Sequence, residues 1–475
     1  MDNRLDKILK QMATPETLNV REFLFVGKKG IIINHPDITD SDVVFRAVLA
    51  MQNAKMADGE INSLKQIIDS VLFSAEIKQA EDDVINEILL GDAVIFIEGI
   101  TGYLVISAKK WDKRGVSEPL NETVIRGPKE GFIEDFKTNI SLVARRLKTP
   151  DLLLEKMKVG RMGNVNVALL AIKGIVCEKL LGQIREKLKK IDVDSILDSH
   201  YLLPHLEPYP HAMFNQIGLT EKPDVAAARL LEGRIAIIVD GSPSVLTLPF
   251  LIIEDFQSPE DYYSRGTFAS FIRPIRFIAL ILAIILPGLF IALQVFHHNI
   301  FPSNFLINLQ NMTKAIPLRP LPEMLVLLLL FEIIKEAILR MPRAISMAIA
   351  IISGIVLGEA AMSSGLFSAP ALLITALSTV ALFTVPNQVP VASLLRLAFA
   401  ILGGLFGIFG LVIGGVFLVV SLVNFDSFGT PYLAPLSPLV YPDLKDSFYF
   451  AGTGDCATRP YSLPGKNKKR QGEQK

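Results

Sequence analysis

The chain alternates short apolar runs with amphipathic stretches over its first half and then becomes a series of long apolar segments. Residues 91–99 and 233–241 share one pattern, in which a Gly, an apolar run and an acidic residue are followed by another Gly. A second apolar run follows each copy, and an acidic-Gly pair between two such runs is typical of a β-hairpin. The repeat predicts that the first half contains two related lobes.

Apolar spacing within these lobes predicts both helices and strands. Residues 133–147, 178–191 and 223–231 carry apolar side chains on one helical face, whereas 165–172 is a nearly continuous apolar run. Such a run is typical of a central strand that is buried on both faces. Because strand and helix patterns alternate, we expect each lobe to be an α/β unit.

Long apolar segments dominate the second half. They cover residues 277–296, 321–339, 344–362, 369–385 and 397–423. About 20 apolar residues can cross roughly 30 Å of hydrocarbon, so we expect a helical transmembrane domain with four to five apolar segments. Arg265, Arg273 and Arg276 precede the first segment, which places the first half of the chain in the cytoplasm.

The side of the membrane on which the tail lies is ambiguous from the sequence. Five full spans would put it outside, whereas the basic cluster at 466–470 favours the inside. We expect one weak segment, 321–339 or 369–385, to be re-entrant or interfacial, which leaves four spans. The predicted domains are lobe one at 1–108, lobe two at 109–256, a membrane-approach linker at 257–276, the transmembrane domain at 277–425 and the tail at 426–475.

Composition narrows the class of function. The chain is 50% hydrophobic and its formal net charge is zero, which predicts membrane lipid rather than nucleic acid as a partner. The sequence has no GxxxxGK[ST], GxGxxG, GxSxG or HExxH motif. Neither the two cysteines nor the scattered histidines form a metal-binding pattern. We therefore expect no enzyme activity, no cofactor and no metal.

The third apolar segment and its end carry small polar residues on one helical face, beside a GxxxG pair. GxxxG allows helices to approach closely, and a carboxylate inside a membrane usually faces a partner or a water-filled path. We interpret this face as the lining of an ion path in an oligomer; the alternative is tight packing inside one subunit. The pore-lining candidates are Ser346, Ser353, Ser364 and Glu359, and the helix-packing candidates are Gly354 and Gly358.

The second apolar segment contains an unusual set of charges. Glu332 and Glu336 lie one helical turn apart, and Lys335 can reach Glu332 at i,i+3. Arg340 follows at the end of the segment. We predict that these four residues form a buried charge network that couples a lobe to a membrane span.

Six short motifs are spread over residues 122–435. They are ETVIRGPKEGF at 122–132, LEGRIAIIVDG at 231–241, QSPEDYY at 257–263, FEIIKEA at 331–337, RMPR at 340–343 and FGTPYLAP at 428–435. In these motifs and their order, the chain resembles the A subunit of the GerA family of bacterial spore germinant receptors, over about residues 90–440. None of the motifs is a catalytic signature.

The resemblance implies a receptor complex in the spore inner membrane, with the N-terminal domain in the cytoplasm of the spore core. It implies a transporter-like B subunit and a lipoprotein C subunit as partners, and a homo-oligomer that forms a ligand-gated cation channel for spore germination. Glu359 stands where the resemblance implies a neutral residue, which bears on ion preference. A non-conducting scaffold and a transporter-like subunit remain as alternatives.

Overall fold

The structure is a computed structural model. It describes residues 14–53, 75–78, 84–108, 122–342, 363–452, 456–465 and 467–470, together with isolated positions between these ranges. The described residues form two antiparallel sheets with flanking helices, a helical bundle, and a tail that returns to the second sheet.

Lobe one is a five-stranded sheet with two described helices. Its strands are β1 (Asn19–Phe25), β2 (Lys28–Asn34), β3 (Ala75–Lys78), β4 (Ala93–Ile97) and β5 (Tyr103–Ile106), and its helices are α1 (Ser41–Asn53) and α2 (Val84–Leu89). The strand order is β1-β2-β4-β5-β3, and every pairing is antiparallel. The first predicted hairpin is β4–β5, whose turn contains Gly99 at a φ of 78°.

Lobe two repeats this arrangement. Its strands are β6 (Leu152–Val159), β7 (Val165–Ile172), β8 (Gly218–Thr220), β9 (Ile235–Val239) and β10 (Val245–Leu248), and its helices are α3 (Phe136–Ala144), α4 (Glu178–Lys190), α5 (Leu203–Leu206) and α6 (Pro223–Leu231). The order β6-β7-β9-β10-β8 matches lobe one strand for strand. The lobes mix helices and sheet as expected, but the strands pair antiparallel, so the helical connections do not build parallel crossovers.

The predicted central strand lies between two apolar layers. Alternate residues of β7 belong to one core that includes α4 and to another that includes α3 and α6. Burial on both faces explains why residues 165–172 read as a continuous apolar run. Each lobe is therefore a sheet covered on both sides, and the chain leaves lobe two through its last strand, β10.

The second half is mostly helical. Its helices are α7 (Pro259–Tyr263), α8 (Gly266–Val295), α9 (Ser303–Thr313), α10 (Pro320–Arg340), α11 (Ala369–Leu382) and α12 (Val389–Asn424). Within the described residues, two stretches are long and apolar enough to cross a membrane, Gly266–Val295 and Pro386–Asn424. The boundary predicted at residue 276 falls inside α8, and the stretch between the first two predicted apolar segments contains α9.

Helix α12 folds back on itself at Gly407, which has a φ of 63° and a ψ of −149°. At one end, Gln388 donates to Asp255 at 2.6 Å; at the other, the Ser427 hydroxyl accepts from the Phe250 backbone amide at 3.0 Å. Phe250 and Asp255 are at most about 18 Å apart along an extended chain, whereas a straight helix of this length would span more than 50 Å. Residues 389–406 and 408–424 are therefore two arms of a hairpin, each about 26 Å long.

The other helices run between the same two ends of the bundle. The hairpin turn at Gly407 lies against Phe296 and His297, at the end of α8 that is remote from the lobes. The Ser368 backbone amide donates to Glu323 at 2.5 Å, so α10 and α11 both begin near that remote end. The structure also has a chain reversal at Gly407, inside the fifth predicted segment, which the sequence analysis did not anticipate.

The tail resumes beside lobe two. It begins with a small hairpin, β11 (Asp426–Ser427) and β12 (Thr430–Pro431). The Ile252 backbone amide donates to the Tyr432 carbonyl at 3.1 Å, and Arg459 donates to the Leu231 carbonyl at 2.6 Å. The tail and lobe two therefore lie at the same end of the bundle.

Candidate functional site

The candidate site is the junction segment, residues 250–261, which connects lobe two to α8. Glu254 anchors its start, with a side chain that is 4% exposed. Its carboxylate accepts from Arg234 and from the Leu251 backbone amide at 2.7 Å, and its second oxygen lies 3.3 Å from Arg229. Since both arginines project from elements of lobe two, this buried cluster ties the junction segment firmly to the lobe.

A second buried cluster ties the junction segment to α8 and to the tail. Arg273, which is 1% exposed, pairs with Asp261 at 3.0 Å and with Asp446 at 2.9 Å. Arg276 also pairs with Asp261, at 2.8 Å, and the Tyr262 hydroxyl donates to Asp446 at 3.1 Å. Burial raises the pKa of Asp446, and the nearby Arg273 opposes that shift. Sequence reasoning assigned Arg273 and Arg276 to the membrane surface, whereas the structure uses them to connect three parts of the chain.

The third contact joins the junction segment to the turn between α11 and α12. Asp255 accepts hydrogen bonds from the side-chain amides of Gln388 at 2.6 Å and Asn387 at 3.0 Å. Burial raises the pKa of Asp255 to about 6, and the two amide hydrogen bonds act in the opposite direction. Burial also raises the pKa of the neighbouring Tyr432. Through these residues lobe two is attached to the start of the α12 hairpin.

A buried polar cluster lies deeper in the bundle, and it differs from the predicted network of four charges. Glu332 pairs with Lys335 and, at 2.7 Å, with Arg396, which is 1% exposed. Glu336 and Arg340 form a separate pair whose side chains are 56% and 79% exposed. The prediction of one buried network is wrong for this second pair, because these residues lie on the outer face of α10.

Arg396 is the member of this cluster that the sequence analysis missed. It also donates to Thr379 at 2.9 Å, so it links α10, α11 and the first arm of α12. A single cation between apolar segments requires a carboxylate partner inside a membrane. That rule, applied to Arg396 and the carboxylates of the second segment, could have identified the pair.

Comparison with known proteins decides the family. The profile described as Bacillus/Clostridium GerA spore germination protein matches residues 5–462. The chain belongs to this family. The resemblance to the GerA family A subunit that the six motifs predicted is thereby confirmed.

Named relatives agree with this family assignment. Spore germination protein KA of Bacillus subtilis is 36% identical over 416 residues, covering 87% of this chain and 76% of the relative. Spore germination protein GerLA of Bacillus cereus is 29% identical over 469 residues, covering 98% of this chain and 95% of the relative. A solved structure also matches, the N-terminal domain of the A subunit of the Bacillus megaterium spore germinant receptor GerK3. The match is 29% identical, covers 53% of this chain and 93% of that domain, and has a TM-score of 0.40.

The pore-lining candidates of this GerA-family chain are not assembled into a site by the described residues. Ser346, Ser353 and Gly354 lie outside the described residues. Ser364 lies in a turn, and Glu359 is exposed. A Cβ atom placed on Gly358 would have no described heavy atom within 4 Å. The assignments of these residues to a pore and to helix packing stay predictions.

Glycines bring α8 and the first arm of α12 into backbone contact. A Cβ atom on Gly403 would lie closer than 3.0 Å to the Gly288 carbonyl oxygen, and one on Gly288 would meet the Phe399 carbonyl oxygen equally closely. Small residues at a helix crossing allow such close approach. Gly403 belongs to the fifth apolar segment, and the structure places it at a packing contact.

Metal chemistry finds no support in the described part of the chain. Within it, no group of three or more His, Cys, Asp and Glu side chains is arranged to hold a metal ion. The contacts described above connect structural units and carry no nucleophile aligned with a base. The junction connects lobe two directly to α8 and to the start of the α12 hairpin.

Proposed function

We propose that this chain is the membrane A subunit of a nutrient germinant receptor, and that several copies assemble into a ligand-gated cation channel. The observation that carries the proposal is the match to the GerA family over residues 5–462. The relatives named as spore germination proteins support the same process. A transporter-like B subunit and a lipoprotein C subunit are the proposed partners, and the spore inner membrane is the proposed location.

The proposed membrane topology follows from the direction of each helix. Five described helical passages, namely α8, α10, α11 and the two arms of α12, run between the two ends of the bundle, and the tail then contacts lobe two. A tail on the side of the lobes removes the conflict between five spans and the basic tail cluster at 466–470. Arginines at the lobe end of α8 place that side in the cytoplasm. In this proposal the tail lies on the same side as the lobes, and the expected four to five spans stay a prediction.

Lobe-to-bundle contacts support a gated device. The junction segment contacts α8 through Asp261 and the start of the α12 hairpin through Asp255. A movement of lobe two therefore acts on two helices that themselves meet at Gly288 and Gly403. Gating requires a two-state element that the sensor can bias, and this connection supplies a mechanical route to one.

A non-conducting scaffold is the second candidate function. The observation in its favour is that Glu332, Lys335 and Arg396 pair with one another inside a single chain. Charges that are paired in this way stabilise helix packing without requiring an ion path. The two candidates differ in one measurable property, which is nutrient-dependent ion flux.

The experiment is cation flux into liposomes that contain the whole A–B–C complex, with and without candidate nutrients. Ser353→Leu tests the predicted pore face, and Ser421→Leu is the matched control, because Ser421 is partly exposed on the second arm and donates to the Phe417 carbonyl of its own helix. Nutrient-dependent flux that only Ser353→Leu abolishes, in an intact complex, supports the channel. Flux that survives Ser353→Leu moves the pore elsewhere, and no flux from an intact complex favours the scaffold.

A further inference from the structure

Asp255 is a buried carboxylate with unusual hydrogen-bond partners. Its residue is 9% exposed, and both of its hydrogen-bond partners, Gln388 and Asn387, are neutral amides. A buried carboxylate is normally stabilised by a cation, because removing its charge from water costs several kcal/mol. Here two amide donors replace the cation, so the contact is sensitive to whether Asp255 is ionised.

Charged and titratable groups around Asp255 do not supply that cation. Glu254 neighbours it on the junction segment, Arg229 faces it from α6, and Tyr432 faces it from the tail. Arg229 already lies 3.3 Å from Glu254, and Arg234 pairs with the same carboxylate. The positive charge near Asp255 is therefore largely committed to Glu254.

The partners of Asp255 lie at a mechanically important position. Residues Pro386–Gln388 form the short turn that joins α11 to α12. The opposite end of the α12 hairpin is held separately, because Ser427 accepts from the Phe250 amide and donates to the Gln216 carbonyl at 2.8 Å. Release at Asp255 would free the first arm and α11 while the second arm stays attached to lobe two.

We propose that Asp255 is a latch that docks lobe two onto the α11–α12 turn when its carboxyl is protonated and that weakens when the carboxyl ionises. The latch goes beyond the proposed channel function, because it describes docking within one chain and applies equally to a conducting or a non-conducting subunit. Its failure in the test below would leave the flux experiment untouched.

The direction of the pH effect follows from linkage. Burial raises the pKa of Asp255 to about 6 in the docked form, whereas a released Asp255 reaches water and titrates near its ordinary value of 3.8. The docked form therefore binds the proton more tightly, so docking strengthens as pH falls and weakens as pH rises through the interval between these two values. Between pH 5 and pH 7.5 the docking constant should fall about ten-fold.

The test is hydrogen–deuterium exchange of residues 383–392 in the full chain, in lipid nanodiscs at pH 5 and pH 7.5, corrected for intrinsic exchange rates. Wild type should lose about ten-fold in protection at the higher pH. Asp255→Asn should abolish this dependence. Glu260→Gln, which removes a carboxyl of the same junction segment that contacts residues 125 and 126 instead, should retain it.

A second variant keeps the proposal falsifiable if Asp255→Asn folds poorly. Gln388→Lys gives the ionised carboxylate a cationic partner and so lowers its docked pKa, and the loss of protection between pH 5 and pH 7.5 should therefore shrink or disappear. Equal protection of wild type at both pH values would overturn the proposal. An unchanged pH dependence in Asp255→Asn, or a Gln388→Lys variant that behaves like wild type, would overturn it as well.

Discussion

Gly407 allows the sharpest test of the hairpin. Its φ of 63° and ψ of −149° lie in a region that only glycine occupies without strain, and forcing another residue there costs about 1–3 kcal/mol. A Cβ atom would also lie 3.1 Å from His297 and 3.2 Å from Phe296, so these rings would have to move. Gly407→Ala should therefore destabilise the chain by at least about 1–3 kcal/mol.

Gly415 provides the matched control on the same helix. A Cβ atom at this position would meet nothing within 4 Å, and its backbone is helical. Alanine is favoured over glycine in a helix by about 1 kcal/mol, so Gly415→Ala should be neutral or stabilising. The two variants remove the same kind of residue and add the same methyl group, so they differ only in backbone conformation and surroundings.

The assay is thermal unfolding in detergent, followed by loss of the helical circular dichroism signal, for both variants and wild type. The structure predicts a midpoint for Gly407→Ala that lies clearly below that of Gly415→Ala. Equal midpoints would refute the hairpin, because in a continuous straight helix residue 407 would have an ordinary helical backbone that alanine adopts without strain.

Three further predictions use the same measurement of thermal unfolding. Arg396→Met should destabilise the chain by less than the roughly 3–5 kcal/mol of a fully uncompensated buried charge, because Glu332 keeps Lys335 as a partner, and adding Glu332→Gln should recover part of that loss; additive losses would contradict the pairing. Gly288→Ala should destabilise through contact with the Phe399 carbonyl, whereas Gly182→Ala, which meets nothing within 4 Å, should not. Partial burial acts to raise the pKa of Glu130, but the ion pairs with Arg145 and Arg146 outweigh burial and lower it. Glu130→Gln should therefore reduce the unfolding midpoint at pH 7, and this reduction should disappear as pH falls through the folded pKa. An equal effect of Glu130→Gln at low pH would show that the ion pairs do not matter.

Local signals allowed much of the two lobes to be predicted. Hairpin turns and short helices form through contacts between residues that are close in sequence, so the sequence pattern can predict them. This holds for the acidic-Gly turns of β4–β5 and β9–β10 and for the helix of residues 223–231. Strand β6 was missed, because most of its side chains are partly or fully exposed and include charged residues, which removes the apolar signal. The antiparallel order of the sheets was also beyond the sequence, since it depends on which strands meet in space.

The junction could not be predicted for a different reason. Arg273 and Arg276 look like surface cations before an apolar segment, and only the fold brings Asp261 and Asp446 to them. Gly407 is one of several glycines in its segment, and nothing in the sequence distinguishes the one whose φ is positive. Contacts between residues that are distant in sequence, such as Asp255 with Gln388, are set by tertiary structure alone.

The central claim is that the lobes and the tail lie on one side of the membrane, because α12 is a hairpin. The chain has two cysteines, Cys177 in lobe two and Cys456 in the tail, and both are partly exposed. The most direct measurement is labelling of these two cysteines with a membrane-impermeant maleimide in sealed vesicles of one orientation. An Ile300→Cys variant reports the opposite side, because residue 300 lies at the remote end of the bundle. We predict that Cys177 and Cys456 are labelled or protected together and that position 300 behaves oppositely; labelling of Cys456 together with position 300 and not with Cys177 would contradict the account.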